Sequence, residues 1–302
     1  MWKRHIQLSP VVPVENLNEY ILLIYMKKYF LLMGLFTVLV APGWSYVMGP
    51  DDRALESENS PAAVRQSGMI RIQGEAFVSG LLTGANCDVV VSAGHAAYYW
   101  EDVPHKSWRK GHLRGLGQFY FSTEPSEPVS WQQLQLVASG YDELEQVGQD
   151  EYDWSVFRID TPLVQQCEIV EAWPSERACK SELIMPGFHF DKPRDRLLAG
   201  NCKLRQSLDN GLLIHDCDTK DGSSGAPLLC PTGDTLRLLG VNISGLTKRD
   251  YYDAGVYGKS GEPFDARRHK NFAIAIDGAF KRALVKELQA SKARKEQRRI
   301  EK

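Results

Sequence analysis

The sequence predicts an all-β fold closed by one C-terminal helix, on three observations. Short apolar runs of strand length recur along the chain, separated by glycines and short polar stretches, as in an all-β domain. At 302 residues and 43% hydrophobic content, the chain can bury a core as one large domain or two small ones. Near its end, Asp277 precedes Phe280, Leu284, Val285 and Leu288, a capped helix with one apolar face. The formal net charge of −2 gives no global reason to expect a nucleic-acid partner.

The N-terminus reads as an export segment. Lys27-Lys28 precedes an apolar run over 29–41, short for a bilayer span but suited to a signal-peptide core. Gly43-Trp44-Ser45 offers small residues at the cleavage offsets, so 1–45 is expected to be a signal region cleaved after Ser45. Met26 directly precedes the two lysines and is a candidate translation start. A membrane anchor over 20–40 competes with this reading, and the lysines in its middle argue against it. Residues 46–66 form a polar lead-in.

Strand runs then fall at 69–72, 76–82 and 88–92. Residues 99–115 carry Trp100, His105, Trp108 and His112 among charges and read as a surface loop, with its histidines outside any metal-binding frame. Further strands are expected at 116–122, 132–139, 183–189, 196–204, 211–217, 225–229, 236–244 and 272–276. From Lys292 the chain is mostly basic and reads as a solvated helix end.

Three stretches carry chemistry. In Gly222-Ser223-Ser224-Gly225-Ala226-Pro227, glycines around a serine allow a sharp turn that aims backbone N–H groups at an oxyanion beside the hydroxyl. Ser224 is the candidate nucleophile, with the N–H groups of Gly222 and Ser224 as the oxyanion hole. Val89-Val90-Val91-Ser92-Ala93-Gly94-His95 ends an apolar run on a histidine, the candidate general base. Asp153 leads into the alternating run 154–159 and is the candidate acid; Asp142 and Asp150 are alternatives. The chain order is therefore His, Asp, Ser.

With these residues the chain resembles the chymotrypsin-fold (trypsin-like) serine peptidases, and most of all the secreted bacterial branch that includes the glutamyl endopeptidases. Cys217-Asp218-Thr219 and Gly240-Val241-Asn242-Ile243-Ser244-Gly245 extend the likeness over roughly residues 47–276. The resemblance implies two antiparallel six-stranded β-barrels, one over 67–165 carrying His95 and Asp153 and one over 166–276 carrying Ser224, followed by the helix and basic tail at 277–302. It implies a secreted or periplasmic endopeptidase acting on protein or peptide substrates through an acyl-enzyme, with no cofactor or metal. Asp218, Thr219, Asn242 and Ser244 would face the substrate. Asp218 matches the pocket acid that selects Arg or Lys, whereas Thr219 matches the threonine that glutamyl endopeptidases use. Asn242 stands where the latter have a histidine. Ser223 replaces the acid that pairs with a new N-terminus in the digestive enzymes, and Ala96 replaces the cysteine that often follows the histidine.

In an exported chain an even count of cysteines favours disulfides. The six here suggest, by spacing, Cys167–Cys179 and Cys202–Cys217, leaving Cys87 with Cys230. A calcium loop at Asp216, Asp218 and Asp221 fails because Lys220 takes a ligand position. Two other functional classes compete: a binding protein of the same fold without catalysis, and an α/β-hydrolase, whose GxSxG elbow Ala226 breaks.

Overall fold

The computed structural model describes residues 51–57, 59–71, 77–103, 107–113, 118–120, 131–142, 146–147, 150–162, 166–172, 179–243 and 271–301. The export segment and Ser244 lie outside them. In chain order the elements are β1 (Ala54–Leu55), α1 (Ala62–Arg65), β2 (Ser67–Arg71), β3 (Phe77–Thr83), β4 (Val89–Ser92), β5 (Tyr98–Val103), β6 (Ser107–Leu113), β7 (Gln118–Tyr120), β8 (Trp131–Ser139), β9 (Gln146–Val147) and β10 (Ser155–Ile159). They continue with β11 (Leu183–His189), β12 (Lys192–Cys202), β13 (Leu204–Ser207), β14 (Leu212–His215), β15 (Pro227–Thr232), β16 (Thr235–Asn242), β17 (Asn271–Ala275) and α2 (Gly278–Ile300).

The strands form two antiparallel systems. In the first half, β10-β4-β3-β2-β7-β8 close into a six-stranded barrel. In the second half, the sheet runs β1-β12-β11-β15-β16-β17-β14-β13. Only Lys203 separates β12 from β13, so this sheet curls until its ends meet. With β12 and β13 taken as one bent strand, it is a second six-stranded barrel with β1 added outside. The all-β, chymotrypsin-like two-barrel expectation therefore holds. The stretch expected as a loop at 99–115 is instead largely strand: β5 and β6 pair as a hairpin and β9 adds to β6. Charges among the aromatic residues there hide the alternation from a reading by polarity.

Period-two alternation explains the apolar run in β4. Val90 packs inside the first barrel with Ile70, Leu82, Phe119 and Phe157. Val89 and Val91 point the other way, into a core shared with Leu212, Ile214 and Val241 of the second half and with Phe280 and Leu284 of α2. A strand covered on both faces must be apolar at every position. In the second half, Leu213 turns inward to Met185, Leu228 and Leu239 while its neighbours face the shared core.

Asp277 caps α2 by accepting the Gly278 N–H at 2.7 Å. Phe280 and Leu284 are buried as expected, but Val285 is exposed, and the docking face is completed by Ser291 and Glu287 instead. Ser291 and Arg294 hydrogen-bond the buried Asp88 carboxylate, and Arg294 also pairs with Glu287 at 2.8 Å. Polar contacts thus pin the helix to the first barrel beyond the reach of its apolar face.

The disulfides are Cys87–Cys167, Cys179–Cys230 and Cys202–Cys217. Cys202–Cys217 is the expected pair; the other two expected pairs are corrected. Short spacing favours Cys167–Cys179 only if the chain turns back there. Instead it runs from Glu168, bonded to Gln66, past Val170, bonded to Thr83, along the first barrel. This leaves Cys167 beside Cys87, and Cys179 enters the second half against β15. Peptide mapping without reduction should recover these three pairs, and a Cys167–Cys179 peptide would contradict them. Replacing Arg294 with Ala leaves Asp88 buried without its cation and should cost about 2 kcal/mol in urea unfolding, given the arginine's partial exposure. Arg299→Ala, on the solvent side, should cost under about 0.5 kcal/mol.

Candidate active site

Ser92 ends β4, Ser155 begins β10, and the two are register partners. Past that pair the chains run in opposite directions, so Asp153 lies across from the 3-10 turn Gly94–Ala96 that carries His95. The Asp153 carboxylate takes the His95 backbone N–H on Oδ1 and faces ring Nδ1 with Oδ2, both at 2.8 Å. A ring nitrogen facing a carboxylate carries the proton, which leaves Nε2 as the basic nitrogen. The acid is the more sheltered partner, with its side chain 9% exposed against 23% for the imidazole. The close approach needs a glycine: a Cβ on Gly94 would lie 2.8 Å from the Trp154 nitrogen. Asp142 is committed elsewhere, accepting from Tyr98 Oη at 2.6 Å and Ser139 N–H at 2.7 Å. Asp150 sits in the preceding 3-10 turn Asp150–Tyr152.

The serine loop, in the second half, packs against the residues that lead into His95. Gly225 has φ +81°, and a Cβ there would lie 2.1 Å from both Ser79 O and Ser92 Oγ and 3.1 Å from Ala93 N. Gly225 therefore abuts the residues leading into His95, and Ser224 directly precedes it. Ser79, on β3, donates its N–H to Ser224 O at 2.7 Å. Its hydroxyl donates to Gly222 O at 3.0 Å and accepts the Phe188 N–H at 2.9 Å. Ser92 Oγ donates to Ser79 O at 2.7 Å. Within the loop, Ser223 N–H bonds Lys220 O, Gly225 N–H bonds Asn242 O and Ala226 N–H bonds Ser223 O. The bridging role of Ser79 is missing from the sequence reading; a small hydroxyl residue inside an apolar strand is the signal that was available.

Asp218 and Thr219, which lead into this loop, are buried, at 2% and 0% exposure. The polar lead-in reaches them: Asp52 N–H donates to Asp218 Oδ2 at 3.1 Å. Arg53 anchors that segment, its guanidinium held between Asp51 and Asp191. The Arg53 hydrogen bonds pull the Asp51 carboxyl down to about 2. Burial raises Asp52, the hydrogen bond to Asp218 opposes that, and Asp51 and Asp216 add repulsion that raises it further. Asn242, expected as a substrate contact, is turned inward and fully buried. Its amide bonds Ser223 on one side and His215 on the other.

No protein-family model matches this chain, and no curated protein matches its sequence. Among solved structures, a Glu endopeptidase complexed with MPD aligns at TM-score 0.56 and 17% identity, over 80% of this chain and 99% of that one. The serine endoprotease from Yersinia pestis aligns at TM-score 0.46 and 14% identity, over 78% and 67% of the two chains. An active-form protease from M. tuberculosis aligns at 0.45 and 12%, over 76% and 85%. The first of these likenesses is one of fold: the chain has the chymotrypsin-like serine-protease fold.

Two buried histidines flank the loop. Burial, with the Arg53 charge, pushes His189 down to about 3, and burial pushes His215 down to about 4. Both are neutral when folded, whereas an unfolded histidine binds a proton near pH 6.5. Below that pH the unfolded chain holds more protons, so stability should fall from pH ~6.5 to ~4 by about 1.4 kcal/mol per unit for each histidine. Guanidinium unfolding at a series of pH values checks this, and a flat profile across that window would contradict it.

Proposed function

We propose that the protein is an exported serine endopeptidase that hydrolyses peptide bonds through Ser224, His95 and Asp153. The observation that carries this reading is the double hydrogen bond from His95 to Asp153 beside the loop whose Gly225 touches Ser92 and Ala93. An imidazole fixed through Nδ1 presents Nε2 as a general base. It takes the Ser224 proton as Oγ attacks the carbonyl carbon, then returns it to the leaving amine. Asp153 holds the tautomer and stabilises the imidazolium. The tetrahedral oxyanion is assigned to the N–H groups of Gly222 and Ser224, which flank a Ser223 whose own N–H is bound inward. Collapse gives an acyl-enzyme on Ser224; water, deprotonated by His95, then releases the acid.

Asp218 and Thr219 are proposed to form the floor of the specificity pocket. An acidic P1 side chain would bring a further carboxylate toward Asp218 and Asp52, which is unfavourable in a buried site. A P1 Arg or Lys would offset that charge. Ser244 remains a proposed substrate contact. Three disulfides are compatible with an oxidising, extracytoplasmic setting, and among the described residues no helix is long and apolar enough to cross a membrane. Processing after Ser45 and the division near residue 166 belong to the same reading.

Cleavage of a mixed peptide library should occur after Arg or Lys. Ser224→Ala should lower kcat/KM by about 10⁴-fold or more and abolish fluorophosphonate labelling. Cleavage after Glu would keep the nucleophile and overturn the pocket assignment. Absence of both cleavage and labelling would favour a non-catalytic binding protein.

A further inference from the structure

The reaction proposed above makes no use of His215, although it is fully buried and linked to the nucleophile loop through a single residue. His215 ends β14 and Asn242 ends β16, and β17 lies between these strands. Asn242 is paired with Ala273, and His215 with Asn271, two residues along β17 on the same face. Ala273 is small enough to leave the diagonal open. The imidazole crosses it, and Nε2 lies 3.1 Å from Asn242 Oδ1.

Asn242 holds the residues on both sides of Ser224. Its Nδ2 donates to Ser223 O and approaches Ser223 Oγ, both at 3.1 Å. Its backbone oxygen accepts the Gly225 N–H, and its own N–H donates to Ala226 O at 2.8 Å. The Ser223 carbonyl can only accept, so Nδ2 must face it and Oδ1 must face the histidine. Oδ1 accepts only, so His215 Nε2 carries the proton. Burying an imidazole costs desolvation that an apolar side chain would not meet, a cost that makes sense if the Nε2–H bond has a task of its own.

We infer that His215 and Asn242 are a positioning pair: His215 fixes the Asn242 amide, and Asn242 brackets Ser224 by holding Ser223 and Gly225. The inference rests on Ser224 being the nucleophile. Neither residue touches substrate or exchanges a proton with it. Their effect is on where Ser224 Oγ sits relative to His95, which should appear in kcat more than in KM, because the Asn242 bonds reach Ser223, Gly225 and Ala226, the residues around the nucleophile.

The test uses the full chain with three substitutions. His215→Leu keeps much of the bulk and removes the donor. His215→Gln restores a donor able to reach Asn242. Asn242→Ala removes the side-chain bonds to Ser223 and keeps the backbone bonds to Gly225 and Ala226. For H215L and N242A, kcat and the fluorophosphonate labelling rate should fall by about 10- to 100-fold. KM should stay within about twofold, and H215Q should recover most of the loss. Hydrogen exchange of the peptide spanning 222–226 should quicken in H215L and return toward wild type in H215Q. That second readout needs no activity. A wild-type protein without Ser224-dependent turnover or labelling would sink the nucleophile reading, and the exchange result would still decide whether the pair orders the loop. An active wild type with kcat and exchange unchanged in H215L, or with H215Q as impaired as H215L, would overturn the positioning pair. If H215L does not fold, N242A and H215Q decide between the same outcomes.

Discussion

The close contact between Gly225 and strands β3 and β4 is the constraint on which the candidate site depends. A side chain at that position would meet Ser79 O and Ser92 Oγ at 2.1 Å, closer than any real Cβ contact. The absent Cβ lets a loop of the second half reach the strand end of the first. Ser79 then ties the two together with one backbone and two side-chain bonds. The pairing of Ser155 with Ser92 brings Asp153 to His95 on the other side of the same strand end. Two independent approaches converge on residues 92–95: Gly225 of the serine loop abuts Ser92 and Ala93, and Asp153 bonds His95.

This convergence needs a rigid support. The outward faces of β4 and β10 contribute to one core with β14, β16, β17 and α2, so the halves are not free to slide past each other. Trp154, next to Asp153, stacks on Phe280 at 4.9 Å, which carries the packing of the helix to the acid itself. The interior also accepts costs near the loop. His189 is buried and held neutral, and Asp52 meets Asp218 in a setting rich in carboxylates. The guanidinium of Arg53 is spent on Asp51 and Asp191 and holds the lead-in segment in place.

Much of the candidate site is readable in the sequence because its signals are local. The glycines around Ser224, the apolar run ending at His95 and the aspartate heading an alternating strand are each encoded in a few consecutive residues. The Asp277 cap and the helix behind it were legible for the same reason. The hairpin of β5 and β6 was missed because charges interrupt its alternation. The place of Asn242 along the chain matches, by the family resemblance, a position that faces substrate. Which way an amide turns depends on what lies behind the strand, and His215 is distant in sequence. Val285 fell on the expected apolar face, yet the helix docks through Ser291 and Arg294, whose partner Asp88 lies about two hundred residues away.

By itself, then, the sequence determined the strand periods, the turns that need glycine, the helix cap and the order His, Asp, Ser. These depend on backbone sterics and on contacts between near neighbours, which any short window contains. Only the tertiary structure decided the partners of Cys87, Cys167, Cys179 and Cys230, the inward turn of Asn242 and the reach of residues 51–53 to Asp218. Those follow from closing two sheets against a shared core, where distant segments become neighbours through packing and no local pattern records the outcome.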